Sequence, residues 1–291
     1  MLLAVVCLQR HGSRSMVYLS YTPRPPLNEY VERMWLVAGG QSPRRERILP
    51  SGTIELVINL RQDQVRIERT LDSARVQTYS GVVVSGTYSG AFEIDAMQHA
   101  AFMGVHFKPA GASAVIGVPA IEYANQHVDL AALWDDRTVS GLRERLCAAT
   151  THRARFQHLE RALIRRLRTD QRLHPAVRLA LGYFGPHGTG NAVGDVARRS
   201  GLSHRRFLTI FKSEVGLAPK QFCRILRFQH VHAVTQHTGR VDWAEVALSC
   251  GFYDQPHLAH EFRRLSGLTP AQYERAIKET HNLLAGHVAI P

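Results

Sequence analysis

Over its last third the chain says nearly the same thing twice. The stretch VARRSGLSHRRFLTIFKSEVGLAPKQF, from Val196, is followed by VALSCGFYDQPHLAHEFRRLSGLTPAQY, from Val246. Val196, Ala197 and Gly201 recur as Val246, Ala247 and Gly251, a shift of 50 residues. Phe211, Gly216, Pro219 and Phe222 recur as Phe262, Gly267, Pro270 and Tyr273, a shift of 51, so one residue has been added within the repeat. A short helix, a glycine turn, a second helix with one apolar side, and then a Gly and a Pro that open a further helix make the helix-turn-helix layout. The layout is written here in two copies.

Each part of the repeat has a physical reason. Val196 and Ala197 begin the buried side of a first helix, and Gly201 supplies the positive φ that lets the chain leave it sharply. Ser203 is placed to cap the second helix. Phe207, Ile210 and Phe211 fall at i, i+3 and i+4 and so share a core-facing side, leaving Arg205, Arg206, Thr209 and Lys212 outward. In the second copy Asp254 caps, Leu258, Phe262 and Leu265 form the stripe, and Gln255, His257, His260, Arg263 and Arg264 face out. Thr269-Pro270-Ala271-Gln272 reads as a capping box with Pro at the first helical position, and Leu217 to Gln221 as its weaker counterpart. Glu261 departs from the pattern, standing where Ile210 of the first copy is apolar. Either the second of these helices is rotated slightly, or Glu261 pairs with a neighbouring arginine such as Arg264.

These residues resemble the DNA-binding domain of the AraC/XylS transcriptional regulators, over about 174 to 280. The resemblance implies two helix-turn-helix units joined by one long helix, here about Pro219 to His237. It also implies that outward positions early in each reading helix contact bases, which carries over to Arg205, Leu208 and Thr209, then Gln255 and His260. Arg206, Lys212, His257, Arg263 and Arg264 are assigned to phosphates, which position without specifying. Double-stranded DNA is the expected partner, with RNA polymerase beside it and a small-molecule effector as a further ligand; the protein would act as a monomer or homodimer.

Charge agrees with that partner. The net charge of +12 is unevenly spread: residues 1 to 136 carry 12 Lys/Arg against 13 Asp/Glu, residues 137 to 172 carry 10 against 3, and residues 173 to 291 carry 14 against 8. The basic character lies where a polyanion would be met.

Ahead of the repeat the chain reads as mostly β. Ile54 to Leu60 alternates apart from Val57, and further strands are expected at Val65 to Arg69, Val76 to Tyr79, Val82 to Ser85, Ala91 to Ile94 and Phe102 to Phe107. Tyr30 to Leu36 fits either a strand or a short helix. The phrases ILPSGTIELVINL and GVHFKPAGASAVIGVP resemble the N-terminal domain of one branch of AraC-type regulators, which implies a small cupin-like barrel for sensing or assembly. Helical spacing follows at 121 to 133 and 138 to 149. Phe156, Leu159, Leu163 and Leu167 then form a stripe that needs a partner, either the domain's own barrel or a second copy.

The fold class expected is therefore α+β in two domains, a mainly β cupin-like barrel followed by helices and then an all-α double helix-turn-helix domain. The boundaries expected are 16–172 and 173–280, with 1–15 and 281–291 as flexible tails. Residues 1–15 are read as a tail or an upstream start, because patterned sequence begins at Met16.

Catalysis finds little support. His99 and His106 differ in strand parity, His230 and His232 face different ways on a helix, and His257 and His260 lack a third ligand, so no metal site or cofactor is expected. No Gly-x-Ser-x-Gly or phosphate-cradling Gly-Lys-Ser/Thr motif is present. Cys7, Cys147, Cys223 and Cys250 are widely spaced, which argues for reduced thiols and a cytoplasmic protein. No apolar run approaches the roughly 20 residues that span a bilayer. An enzyme is not expected; the rival readings are a cupin-type metalloenzyme with a DNA-binding appendage and a non-specific architectural DNA binder.

Overall fold

The computed structural model describes residues 4–11, 14–39, 45–69, 75–95, 101–168, 172–185, 192–236, 241–279 and 286–290. The strands are β1 (Ala4–His11), β2 (Arg14–Tyr21), β3 (Val31–Ala38), β4 (Arg45–Ile48), β5 (Glu55–Asn59), β6 (Gln64–Arg69), β7 (Gln77–Ser80), β8 (Val82–Ser85), β9 (Phe92–Asp95), β10 (Ala101–Phe107), β11 (His127–Asp129) and β12 (His287–Ile290). The helices are α1 (Ser113–Ile116), α2 (Leu130–Leu133), α3 (Asp136–Ala148), α4 (His152–Arg166), α5 (Pro175–Tyr183), α6 (Ala192–Arg199), α7 (His204–Val215), α8 (Pro219–Thr235), α9 (Trp243–Ser249), α10 (Gln255–Ser266) and α11 (Pro270–Glu279).

The N-terminal part is built in three layers. A seven-stranded sheet, ordered β1-β2-β3-β10-β5-β8-β11, faces a five-stranded sheet, ordered β12-β4-β9-β6-β7, and α1 to α4 cover the other side of the large sheet. Strand alternation divides the side chains between these layers. Met34, Leu36, Leu56, Ile58, Val82, Val84, Met103 and Val105 face the helices, where Phe156, Leu159 and Leu163 of α4 meet them. Trp35, Val57, Val83 and Phe102 lie on the opposite face, against Val65, Ile67 and Phe92 of the small sheet. The stripe on α4 is thus spent within its own domain. Val57, which interrupted the alternation of its strand, is apolar because both faces of the large sheet are covered.

The expected barrel is corrected to two facing sheets. A barrel closes when its outermost strands pair, whereas β1 and β11 bound the large sheet and β12 and β7 the small one. The single helical segment expected at 121 to 133 is also broken, into a 3-10 turn at Ala120–Tyr123, then β11, then α2.

Part of each expected tail, Ala4–His11 and His287–Ile290, is placed in a strand. β1 pairs antiparallel with β2 in register from Ala4↔Ser20 to His11↔Arg14. β12 pairs with β4, from His287↔Ile48 to Ile290↔Arg45, so the C-terminal end of the chain adds a strand to the N-terminal sheet. In each case an existing strand edge offers unpaired backbone groups that the terminal segment satisfies.

The helical core gathers Phe184, Phe207, Phe211, Phe222, Phe228, Phe262 and Tyr273, and it takes in Leu49 and Val288 from the strand region. Helix α8 stands at its centre, with Phe222 packed on Phe211 at 5.7 Å and Phe228 on Phe262 at 5.0 Å. Its 17 residues make a rod of roughly 25 Å at the α-helical rise. The two parts of the chain are fastened at several points. Gln229 donates to Pro50 O at 2.7 Å, Ala91 N to Leu265 O at 2.8 Å, and Arg47 to Ser266 O at 3.2 Å while also pairing with Glu93 at 2.6 Å.

A chain beginning at Met16 lacks β1 and leaves the β2 edge open. Its melting temperature should fall by several degrees in scanning calorimetry, and an unchanged value would show that the β1 pairing adds nothing to stability.

Candidate nucleic-acid interface

Four helices repeat one local design. In the first unit α6 ends at a turn where Gly201 has φ +69°, and in the second α9 ends where Gly251 has φ +75°. Both values lie where a Cβ would be strained, which explains why the repeat keeps glycine there. The following helices are capped as expected: Ser203 Oγ accepts from Arg206 N at 3.3 Å, and Asp254 from His257 N at 2.8 Å. Helices α7 and α10 then run 12 residues each and end at Gly216 and Gly267. The capping box at Thr269 forms in both directions, with Gln272 N donating to Thr269 Oγ1 and Thr269 N to Gln272 Oε1. Its counterpart at Ala218 has no side-chain cap, because alanine carries no acceptor.

The residues assigned to bases and phosphates fall on two exposed faces. On α7, Arg205, Arg206, Thr209 and Lys212 are exposed, while Phe207 and Phe211 are buried. Leu208 is half-buried and packs against the helical core, so only part of it faces outward. Thr209 Oγ1 is turned back to donate to Arg205 O at 3.0 Å. On α10, Gln255, His257, His260, Arg263 and Arg264 are all exposed. His257 is held in place, its Nδ1 accepting from Tyr253 N at 3.3 Å and its ring set edge-on to Phe252, which leaves Nε2 outward.

Glu261 is explained by a partner on another element. Arg224 of α8 grips it with Nε and Nη2, both at 2.6 Å from the carboxylate oxygens. Burial raises the Glu261 carboxyl, and the hydrogen bonds and charge of Arg224 outweigh it, so the group rests below its ordinary pKa. The pairing foreseen with Arg264 is therefore replaced by one to Arg224, and Arg264 stays exposed. The pair ties α10 to α8 across the core edge.

Sequence reasoning passed over two side chains on this surface. Leu248 is 70% exposed on α9 and Tyr253 is 87% exposed in the turn before α10. Both are large apolar groups beside a polar face, a signal that becomes readable only once the turn is placed. Arg227 was missed too; it lies over the Phe252 ring at 5.3 Å and donates to Gly251 O, bracing the second turn.

The N-terminal part touches the opposite ends of these helices. Contacts gather at Gly216, which faces Thr87 and Ala120, and at Leu265, Ser266 and Gly267, whereas the N-terminal turns of α7 and α10 stay open. His232 is engaged within the helical core. It is buried beneath Tyr273, whose hydroxyl oxygen lies 2.5 Å from its Nδ1, and burial pushes its pKa down to about 4. Among the described residues no group of three or more His, Cys, Asp or Glu is arranged to hold a metal ion, and no helix is long and apolar enough to cross a membrane. The Pro-, Gly- and Asn-bearing stretch Pro186 to Asn191 reads from the sequence as a loop, and Thr169 to Pro175 as a hinge; the first lies outside the described residues, as do 169–171 of the second.

Residues 196–276 match the family described as a helix-turn-helix domain, and residues 19–129 match DUF6597, a domain of unknown function. The C-terminal part of this chain is an AraC-type helix-turn-helix domain. The chain is 30% identical over 95 residues to the HTH-type transcriptional regulator Rv1931c of Mycobacterium tuberculosis, covering 33% of this chain and 36% of that protein. It is 34% identical over 71 residues to the HTH-type transcriptional activator RhaR of Enterobacter sp., covering 24% of this chain and 25% of the relative. The chain thus spans 25 to 36% of the length of these two relatives. A solved structure of an AraC-type transcriptional regulator from Chromobacterium violaceum aligns at 24% identity over 37% of this chain and 96% of that one, with a TM-score of 0.32.

The Arg224–Glu261 pair gives the AraC-type domain a measurable acid sensitivity. Because the folded carboxyl lies below its ordinary value, the stabilisation is present above the unfolded pKa of about 4.3 and is lost as pH falls through the folded value. At pH 7 Arg224→Ala should lower the unfolding free energy by about 1–3 kcal/mol. The gap from the parent should narrow in acid, as followed by urea melts across that range; a gap independent of pH would remove the carboxylate from the account.

Proposed function

We propose that the protein is a transcriptional regulator that reads two successive major-groove segments of double-stranded DNA with α7 and α10. The observation that carries this reading is the repeated design itself: two capped, 12-residue helices with open N-terminal turns, braced on one shared helix. At roughly 25 Å α8 is somewhat shorter than the 34 Å repeat of B-DNA. It is long enough for one chain to address neighbouring grooves on one side of the duplex.

Chemistry assigns the contacts. Arg205 suits guanine O6 and N7, Gln255 suits adenine N6 and N7, and Thr209, His260 and the outward part of Leu208 complete base recognition. Arg206, Lys212, His257, Arg263 and Arg264 hold phosphates. RNA polymerase and a small-molecule effector are the further partners this reading entails, the effector acting at the N-terminal part, with the protein working as a monomer or homodimer.

Competition binding against a randomised site library tests it. Arg205→Ala should relax base preference over one half of the selected site, and Gln255→Ala over the other half about one helical turn away, each costing about 1–3 kcal/mol of discrimination. Arg264→Ala should weaken all sequences alike and reduce the slope of affinity against salt by about one. Should the first two variants lose overall affinity with preference intact, the helices would be binding the backbone only, and the architectural reading would replace this one.

A further inference from the structure

The two facing sheets of the N-terminal part leave a cavity between them. Its volume is ≈ 70 Å³, opening into a wider mouth, and Trp35, Val57, Val83, Phe92 and Phe102 are among the apolar groups that line it. The enclosed part is smaller than the roughly 150 Å³ cavity that takes up a benzene ring, so a ligand would place its polar end inside and extend into the mouth. Glu55, Arg66, Asp95 and His287 complete the wall.

His127 of β11 also lines this space, and nothing in the fold accounts for its presence there. The side chain is 7% exposed, and neither ring nitrogen has a hydrogen-bond partner. The rings of Phe92, Tyr88 and Tyr79 surround it at centroid distances of 4.7, 4.9 and 5.7 Å. Burial pushes its pKa down to about 3, so the imidazole is neutral and offers one donor and one acceptor. Buried polar groups in native proteins are almost always satisfied. The chemistry that satisfies this one is a neutral group able both to give and to accept a hydrogen bond, such as a hydroxyl on an apolar body.

The cavity wall is wired to the AraC-type domain at two places. Glu55 Oε1 lies 2.6 Å from His106 Nδ1, His106 Nε2 lies 3.2 Å from Thr53 Oγ1, and Thr53 Oγ1 lies 2.7 Å from Ser51 Oγ. The loop holding Ser51 and Thr53 is docked on α8, through the Gln229 bond to Pro50 O and the packing of Gly52 on Phe222. On the other side His287 both lines the cavity and pairs with Glu46 at 2.7 Å, and its strand β12 packs on α11 of the second helix-turn-helix unit.

We propose that this cavity binds a small, neutral, largely apolar molecule through a hydroxyl-type group held by His127, and that occupancy is passed to α8 through Glu55, His106, Thr53 and Ser51. The binding site stands on the cavity and His127; only the second half rests on the regulator reading above.

The test uses the full chain with phenol as probe and benzene as the same ring without the hydroxyl. Calorimetry should show saturable phenol binding, with a change in tryptophan emission that disappears in Trp35→Phe. Phenol should bind about tenfold tighter than benzene, as one added hydrogen bond allows. His127→Phe keeps the ring and should remove that preference, and Val57→Phe should fill the space and abolish both interactions. The phenol-to-benzene comparison on the parent protein needs no variant to fold. Absence of saturable phenol binding, equal affinity for the two rings, or binding indifferent to His127→Phe would overturn the site. For the relay, phenol should change affinity for a selected DNA site by about fivefold or more, and Gln229→Ala should keep phenol binding but lose that change. Bound phenol without any effect on DNA affinity would overturn the relay. A chain that selects no DNA site at all would instead sink the regulator reading, leaving the calorimetric result on the cavity to stand by itself.

Discussion

The burial of one face of α8 is the constraint on which the rest of the architecture depends. Phe222 sits near the N-terminal end of the helix and Phe228 near its middle, each fully buried and each set against a phenylalanine of a different exposed helix, Phe211 of α7 in one case and Phe262 of α10 in the other. A fully buried large apolar side chain is worth roughly 1.5–3 kcal/mol relative to its exposed state. Two such anchors on one rigid rod therefore fix the separation and relative orientation of α7 and α10. The same helix offers Ile225 and Gln229 to the loop around Gly52 and Pro50. One element thus sets the spacing of the two reading faces and also receives the N-terminal part.

Charge is divided by the same geometry. Arg224, on the half-buried flank of α8, is consumed in pairing with Glu261, where its hydrogen bonds offset the cost of covering both charges. Arg205, Arg206, Arg263 and Arg264 stand on exposed helix faces. Exposed cations of that kind add little to folding. Their value is in the field they present to a polyanion.

The fold was legible in the sequence wherever one side of an element met water. The reading helices were placed because polar and apolar residues alternate at helical spacing around Phe207, Phe211, Leu258 and Phe262, and the caps because Ser203, Asp254 and Thr269 carry acceptors at the right distance. The strands from Glu55 to Phe107 were recognised from turn residues and β-branched runs. Features set by distant parts of the chain were not legible. Glu261 could be seen as an anomaly, but nothing local identifies Arg224, 37 residues away, as its partner. The pairings of β1 and β12 were missed because each depends on an edge elsewhere, on β2 in one case and β4 in the other. His127 gave no signal either, since an isolated histidine in a short segment reads as ordinary until two sheets close around it.

The placement of contacts between the two parts of the chain limits how one can influence the other. The N-terminal part grips α7 and α10 near their C-terminal ends, at Gly216 and at Leu265 to Gly267, and leaves the N-terminal turns uncovered. Direct masking of the residues proposed to read bases is therefore not the mechanism this arrangement favours. A change in the sheets would act through levers, by shifting the Pro50 loop against the middle of α8 or β12 against α11. Displacements there would alter the spacing between the two helices that, on the proposed reading, fit neighbouring grooves together. Spacing affects the simultaneous engagement of both units more than the contacts of either alone, because the second contact gains from the first only if the geometry allows both.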